Sequence, residues 1–477
     1  MEKSVDVAVI GAGHAGLNAI KEIRKVTDSY VLINGGALGT TCARIGCMPS
    51  KVAIHLAETF QTRKRFDRYG IEGADSLALN QAEALEHVRD LRDTFVDLVL
   101  ANTTDEMDSE HLISGYAEFR GPNTVQVGED LIHAHAFVIA TGASSNVPSA
   151  WKEQFGDGIV TVEDIFEQET LPRSVAVLGL GPIGVEIGQA LQRLGVQVTG
   201  FEKSDRICHL KDPDVNQAAI ATLEREFPLW LGHEPQIHRD GEEFIVQSGD
   251  RSVRVEKLFL ALGRRANLAR LRLDRLDIQT SPDGVPKHHP ATLRVKGQPI
   301  YLAGDAAGGI ANLQRAAEQG RIAGYNAVHR KPRYFQPGTA IHITFTDPNI
   351  AVVGADWSAL DRERTVMAHR RFGPVGRAMI MGQNRGLLKV YADRRSHRLI
   401  GAAMVGSRSE HLAHLLSWAI QSGMTVERAL EMPFYHPVIE EALQEVLIDL
   451  EQTLAKQQRF RRFNFFPRKH AESVLQQ

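Results

Sequence analysis

Cysteine is scarce in this chain: three among 477 residues, at Cys42, Cys47 and Cys208. So few thiols exclude a disulfide-built secreted scaffold and a cysteine-rich zinc or iron–sulfur protein. The histidine pairs His133/His135, His288/His289 and His411/His414 read as structural or solvated, so no metal site is expected. Net charge is scarce too. The formal value of −3 gives no global pull toward nucleic acid or an anionic membrane. Long hydrophobic runs are missing: nothing approaches ~18 uninterrupted apolar residues, so no membrane span is expected. The opening MEKSVDVAVIGAG enters an apolar strand at once and carries no signal-peptide core. A cytoplasmic location is the resulting expectation. What remains is ordinary globular composition, 43% hydrophobic and 24% charged. At roughly 150 residues per domain, the length suggests about three domains.

Two stretches follow one plan. Each is a β-branched apolar run, a G-x-G-x-x-G turn, a helical pattern and a second apolar run. The first turn carries Gly11, Gly13 and Gly16; the second carries Gly179, Gly181 and Gly184, with Pro182 and Ile183 between. The intervals Gly11 to Asn34 and Gly179 to Glu202 are both 23 residues. A turn that follows a strand and opens a helix is the context for dinucleotide binding. Its glycines allow the tight bend, the approach of a pyrophosphate to the helix N-terminus, and close helix–strand packing. Glu202 can bond a ribose and would repel a 2′-phosphate, which favours NAD in the second site; Lys203 and Arg206 stand nearby. Asn34 stands where the first site would carry an acid. The fold expected is α/β, with two Rossmann-like units.

Further landmarks follow. AFVIATG (136–142) and KLFLALG (257–263) read as buried strands ending in glycine turns, and YLAGDAAGG (301–309) as an apolar strand ending in Asp305. Beyond about residue 335 the pattern changes to strands (LLKVYAD, LIGAAMVG) and amphipathic helices at 409–422 and 438–456.

Cys42 and Cys47 stand five residues apart, after GGALGTT and before MPSK. A regular helix turns such positions about 140° apart, whereas a disulfide needs α-carbons within ~7 Å. A redox pair here therefore demands an irregular first turn, which Gly46 and Pro49 suit. A helix N-terminus would also favour a reactive thiolate. The alternative is two buried cysteines acting as small hydrophobes. Two of three cysteines close together, downstream of a dinucleotide unit, favour redox chemistry. Cys208 has no partner in the pattern and reads as structural.

Taken together, these segments resemble the flavin disulfide oxidoreductases, and within them the dihydrolipoamide dehydrogenases, over about residues 4–450. GTTCARIGCMPSK (39–51) looks like that family's redox segment, and GLGPIGVE (179–186) like its NAD turn. ALGRRAN (261–267) and AGDAAGG (303–309) look like its later flavin segments. TFTDPNIAVVG (344–354) looks like the start of its interface domain, and FYHPVIEE (434–441) like its His-Glu base segment.

The resemblance implies FAD and NAD as cofactors and a homodimer. Cys42 would be the interchange thiol and Cys47 the flavin-facing, charge-transfer thiol. His436, oriented by Glu441, would be the base, supplied by the partner subunit. Lys51 would sit near the flavin and pair with Glu186. FAD contacts would come from Gly11, Gly13, Gly16, Asn34, Gly35, Thr41, Lys51, Ala117, Thr141, Gly142, Gly263, Asp305 and Ala306. NAD contacts would come from Gly179, Gly181, Pro182, Ile183, Gly184 and Glu202. The implied domains are a FAD-binding part (1–150 and 265–335), an NAD-binding domain (151–264), and a C-terminal α+β dimerisation domain (336–455).

The implied reaction moves electrons from a dihydrolipoyl group to NAD⁺, with a lipoyl-bearing protein or another small dithiol as partner. The alternatives are a glutathione reductase-like enzyme and a docking subunit with secondary catalysis. The lack of cysteines after Cys208 argues against mercuric reductase and the large thioredoxin reductases. The chain departs from the family pattern at Asn34, at Phe434 and at Gln314, where histidines are common in the last two positions. Pro437 suits a first helical position, leaving His436 just before a helix. Residues 456–470 hold six Lys/Arg and four Phe with no acid. They read either as packed aromatics with solvated charges or as a docking surface for an acidic partner or an anionic membrane.

Overall fold

The computed structural model describes residues 2–455; the basic aromatic segment expected as a tail lies outside the described residues. The chain divides into two units. One runs to His209 and adds Leu223–Pro337 and Thr344–Thr346. The other holds Leu210–Thr222, Gly338–Ile343 and the chain from Asp347 onward.

In the first unit, the β-branched run Glu2–Ile10 forms a strand that pairs in parallel with Tyr30–Asn34 and with Asp130–Ile139. Ile300–Leu302 adds in parallel beside Asp130–Ile139. Apolar side chains on both faces explain why these strands are buried, as parallel strands under helical layers are. The helix His14–Ile23 buries Leu17, Ile20 and Ile23 against that sheet. The second glycine turn belongs to a separate, all-parallel five-stranded sheet. It is built from Leu229–Leu231, Gln197–Glu202, Ser174–Leu178, Lys257–Leu260 and Ile159–Val160. The strand expected at 301–309 ends earlier, at Leu302, and Asp305 lies in the 3₁₀ turn Gly304–Ala307.

The second unit carries a five-stranded sheet whose inner pairs are antiparallel. Helices Ser409–Gln421 and Glu441–Ala455 contribute Leu412, Leu416, Val446 and Leu450 to its core. The strand Leu387–Asp393 alternates, yet every residue is buried. Leu388, Val390 and Ala392 face the core. Lys389 and Tyr391 instead meet a buried carboxylate: Lys389 Nζ lies 2.9 Å from Asp212 and the Tyr391 hydroxyl donates to Asp212 at 2.7 Å. Among the described residues, no helix is long and apolar enough to cross a membrane.

Candidate active site

Both glycine turns sit where adjacent parallel strands end. Ile10, Ile139 and Leu302 are in register across the first sheet, so Gly11, Thr141 and Asp305 emerge at one sheet edge. Leu178, Phe201 and Leu260 do the same in the second, bringing Gly179, Glu202 and Gly263 together, so Gly263, expected among the FAD contacts, follows a strand of the second sheet instead. Ligands of open α/β sheets bind in this crevice beyond the carboxyl ends of the strands. The third glycine of each turn is forced by packing. A β-carbon on Gly16 would lie 1.9 Å from the Gly11 carbonyl oxygen, and one on Gly184 would lie 1.9 Å from that of Gly179.

The two turns match in detail. Ala12 N–H donates to Asn34 Oδ1 at 3.1 Å, and Leu180 N–H donates to Glu202 Oε2 at 3.0 Å. Asn34 thus takes the acid's place in holding the turn, and its Nδ2 donates to the Gly36 carbonyl. Asparagine supplies the acceptor without charge, which explains how the first turn survives the departure.

The edge of the first sheet suits FAD. Thr141 Oγ1 is buried with no hydrogen-bond partner among the described residues, a hydroxyl aimed at nothing the protein supplies. The Asp305 carboxyl is half-buried, and desolvation holds it above the usual carboxylate range against the pull of Arg264 and Arg315. Ala117 and Ala306 bury their methyl groups in the core of this sheet, so only their backbone can face a ligand. Gly35 packs against the Tyr116 ring. Thr41 and Gly263 are exposed, and Pro182 and Ile183 open the helix Pro182–Arg193.

The cysteine pair lies across a break. Thr41–Arg44 is a single helical turn, Ile45 and Gly46 leave helical geometry, and Cys47 is the first residue of the helix Cys47–Gln61. This is the irregular turn the spacing requires. Cys42 is half-buried and Cys47 exposed, both as free thiols. The Cys42 thiol donates to the Cys47 sulfur, and Lys51 adds positive charge one turn on. Together these lower Cys47 to about 7 against the opposing effects of burial and Glu186. The same hydrogen bond, with burial, pushes Cys42 well above the usual thiol range. Lys51 Nζ lies 2.6 Å from Glu186 Oε2, and Glu186 Oε1 accepts from Phe345 N–H at 2.7 Å. The ammonium also sits 4.8 Å from the centre of the Phe345 ring. Phe345 was not legible as a site residue: it stands 159 positions from Glu186, in the TFTDPNIAVVG segment read only as the start of the interface domain. Cys208 is buried, and burial pushes its thiol up and out of reach of neutral-pH chemistry.

In the second unit, His436 Nδ1 lies 2.8 Å from Glu441 Oε1, and Glu441 Oε2 accepts from Val438 N–H at 3.1 Å. With Nδ1 engaged, Nε2 faces outward on a side chain that is 81% exposed. Pro437 does not open the helix, contrary to expectation. The His436–Pro437 peptide is cis and the helix begins at Glu441. The intervening residues wrap the Glu441 carboxylate, which accepts from both His436 and Val438, instead of continuing the helix. Phe434 packs against the core of its unit, and Gln314 is exposed on the helix Leu313–Val328.

Comparison with known proteins identifies the family. Residues 5–320 match the family model described as pyridine nucleotide-disulphide oxidoreductase. Residues 341–447 match the dimerisation domain of the same family, which supports a homodimer. A mercuric reductase of Bacillus cereus is 27% identical over 459 residues, covering 94% of this chain and 72% of its own. A dihydrolipoyl dehydrogenase of Thermus scotoductus is 25% identical over 471 residues, covering 93% and 96%. The HOCl-induced flavoprotein disulfide reductase RclA from Escherichia coli shares the fold. Its TM-score is 0.80 at 22% identity, over 93% of this chain and 99% of that one. The chain belongs to the pyridine nucleotide-disulphide oxidoreductase family, whose members bind FAD and use NAD(P).

Proposed function

We propose that the protein is an NAD-linked dithiol–disulfide oxidoreductase of dihydrolipoamide dehydrogenase type, working through Cys42 and Cys47 as a cytoplasmic homodimer. The observation that carries this reading is the asymmetry of the pair: one thiol held near neutral pH and one held high. In the oxidised enzyme, a substrate thiolate attacks the Cys42 sulfur and the Cys42–Cys47 bond breaks. Cys47 leaves as the thiolate that Lys51 stabilises, and a low-pKa thiol is the better leaving group. The second substrate thiol then attacks the substrate sulfur of the mixed disulfide. Cys42 is released as a thiol and the substrate is oxidised to its disulfide.

His436, as the partner's residue in the homodimer, takes the substrate proton at Nε2, while Glu441 fixes its tautomer and stabilises the imidazolium. Bound FAD supplies the two-electron relay between the thiol pair and NAD⁺. Gly11, Gly13, Gly16, Asn34, Thr141, Gly142 and Asp305 would hold it, and Gly179, Gly181, Gly184 and Glu202 would hold NAD. Glu202 favours NAD because its carboxylate would repel a 2′-phosphate. The relatives do not separate lipoyl groups from other substrates. The preference for a lipoyl group therefore rests on the sequence resemblance.

The test is anaerobic spectroscopy of the purified protein with dihydrolipoamide, other dithiols and NADH. A long-wavelength thiolate–flavin band with dihydrolipoamide, and turnover with NAD⁺, is expected. A colourless protein, or no band with any dithiol, refutes the reading.

A further inference from the structure

We propose that His209 is a phosphate-contacting residue of the second dinucleotide site, donating from Nε2 to the pyrophosphate of the nicotinamide dinucleotide where it crosses Gly181. The proposal rests on the reading of residues 174–202 as that dinucleotide's unit. His209 lies in a loop beyond the fingerprint, and nothing in its local sequence marks it.

The backbone carrying it is unusual. Cys208 and His209 adopt φ of 51° and 58°, two consecutive left-handed residues neither of which is glycine. Such conformations are costly for residues with a β-carbon and persist where the surroundings hold them. Here the surroundings do. Cys208 N–H donates to the Leu180 carbonyl at 2.8 Å, and Leu180 N–H donates to Glu202 Oε2 at 3.0 Å. The Cys208 side chain is buried and hydrogen-bonds Thr344. The loop is thereby clamped to the middle of the glycine turn.

The clamp throws the imidazole over the turn. His209 Nε2 and Cε1 lie 3.5 and 3.8 Å from where a β-carbon of Gly181 would sit. Gly181 is the N-cap of the helix Pro182–Arg193, the second glycine of the turn, where backbone approaches a pyrophosphate. The ring is exposed, so a ligand can reach it. A ring N–H aimed at a phosphate oxygen makes a charge-assisted hydrogen bond. The 2′-position is the less suitable target, because the Glu202 carboxylate stands at the end of the second strand, where the ribose is read. The arrangement also accounts for Cys208, which anchors the loop and is not a third redox thiol.

The experiment is calorimetric binding to the FAD-loaded, full-length enzyme, with NADH, NADPH, ADP-ribose and AMP as probes. His209→Ala should weaken NADH and ADP-ribose by about threefold to tenfold, as expected for one exposed hydrogen bond to a charged group. AMP, which has no pyrophosphate, should be unaffected. The KM for NADH should rise with kcat at saturation retained. His209→Asn provides a second variant, because asparagine tolerates the left-handed backbone yet is too short to reach the phosphate; it should reproduce the loss. Unchanged or tighter NADH binding in both variants overturns the proposal. So does a loss confined to NADPH, which would place the ring at the 2′-phosphate. Failure of the wild-type enzyme to bind any dinucleotide would instead overturn the reading of the unit.

Discussion

Replacing Lys51 by Met should raise the Cys47 pKa by roughly one unit. Cys47 and Lys51 are one helical turn apart in Cys47–Gln61, which puts their β-carbons about 5–6 Å apart. At ~6 Å and an effective dielectric near 20, one positive charge favours a thiolate by about 2.8 kcal/mol. The lysine side chain is 33% exposed and is shared with Glu186, so solvent and the carboxylate screen it. Halving the interaction leaves roughly 1.4 kcal/mol, or about one pKa unit. The sign follows from charge: a lost cation disfavours the anion. Starting from about 7, Cys47 would move to about 8, and its thiolate fraction at pH 7 would fall from about one half to about one tenth. The assay is iodoacetamide alkylation against pH in a Cys42→Ser background, where the serine hydroxyl still donates to the Cys47 sulfur. The double variant Lys51→Met/Glu186→Gln should shift less, because it also removes the carboxylate that pushes Cys47 up. A midpoint that stays put or falls in Lys51→Met would refute the electrostatic account.

Three further outcomes follow from the same structure. Glu441→Gln leaves His436 without a charged partner, and dithiol turnover should fall by about a hundredfold or more while NADH oxidation by an artificial acceptor persists; equal losses in both steady-state assays would contradict a role as base. Gly184→Ala drives a β-carbon to 1.9 Å from the Gly179 carbonyl oxygen, so it should cost at least about 2 kcal/mol of stability and lose NADH binding. A denaturant titration showing a near-normal midpoint counts against that packing argument. Lys389→Met strips the cation from Asp212, in a pair with side chains 5% and 0% exposed; the expected loss is about 3–5 kcal/mol, largely recovered by adding Asp212→Asn. A single-variant loss under about 1 kcal/mol would show that the buried carboxylate finds another partner.

Local sequence carried much of the site. Glycine spacing placed both dinucleotide turns, because backbone approach and helix packing tolerate no side chain there. The five-residue gap between Cys42 and Cys47, with Gly46 inside it, called for a broken helix, and Ile45 and Gly46 supply it. The same local logic misjudged Pro437. A proline before a helical pattern is ambiguous between first helical residue and preceding loop, and the hydrogen bonds of Glu441 decide it.

Chain sequence alone thus determined the strand–turn–helix units, the spacing of the Cys42–Cys47 pair and the identity of the titratable side chains available. Tertiary structure alone decided how distant groups act on them. Phe345 secures Glu186, Asn34 replaces a carboxylate by holding Ala12, and His209 is carried back over Gly181. The physical reason is range. Steric and helical constraints act within a few residues and leave periodic traces. Hydrogen bonds and charges act between whatever the fold brings within a few ångströms, and no spacing in the chain records them.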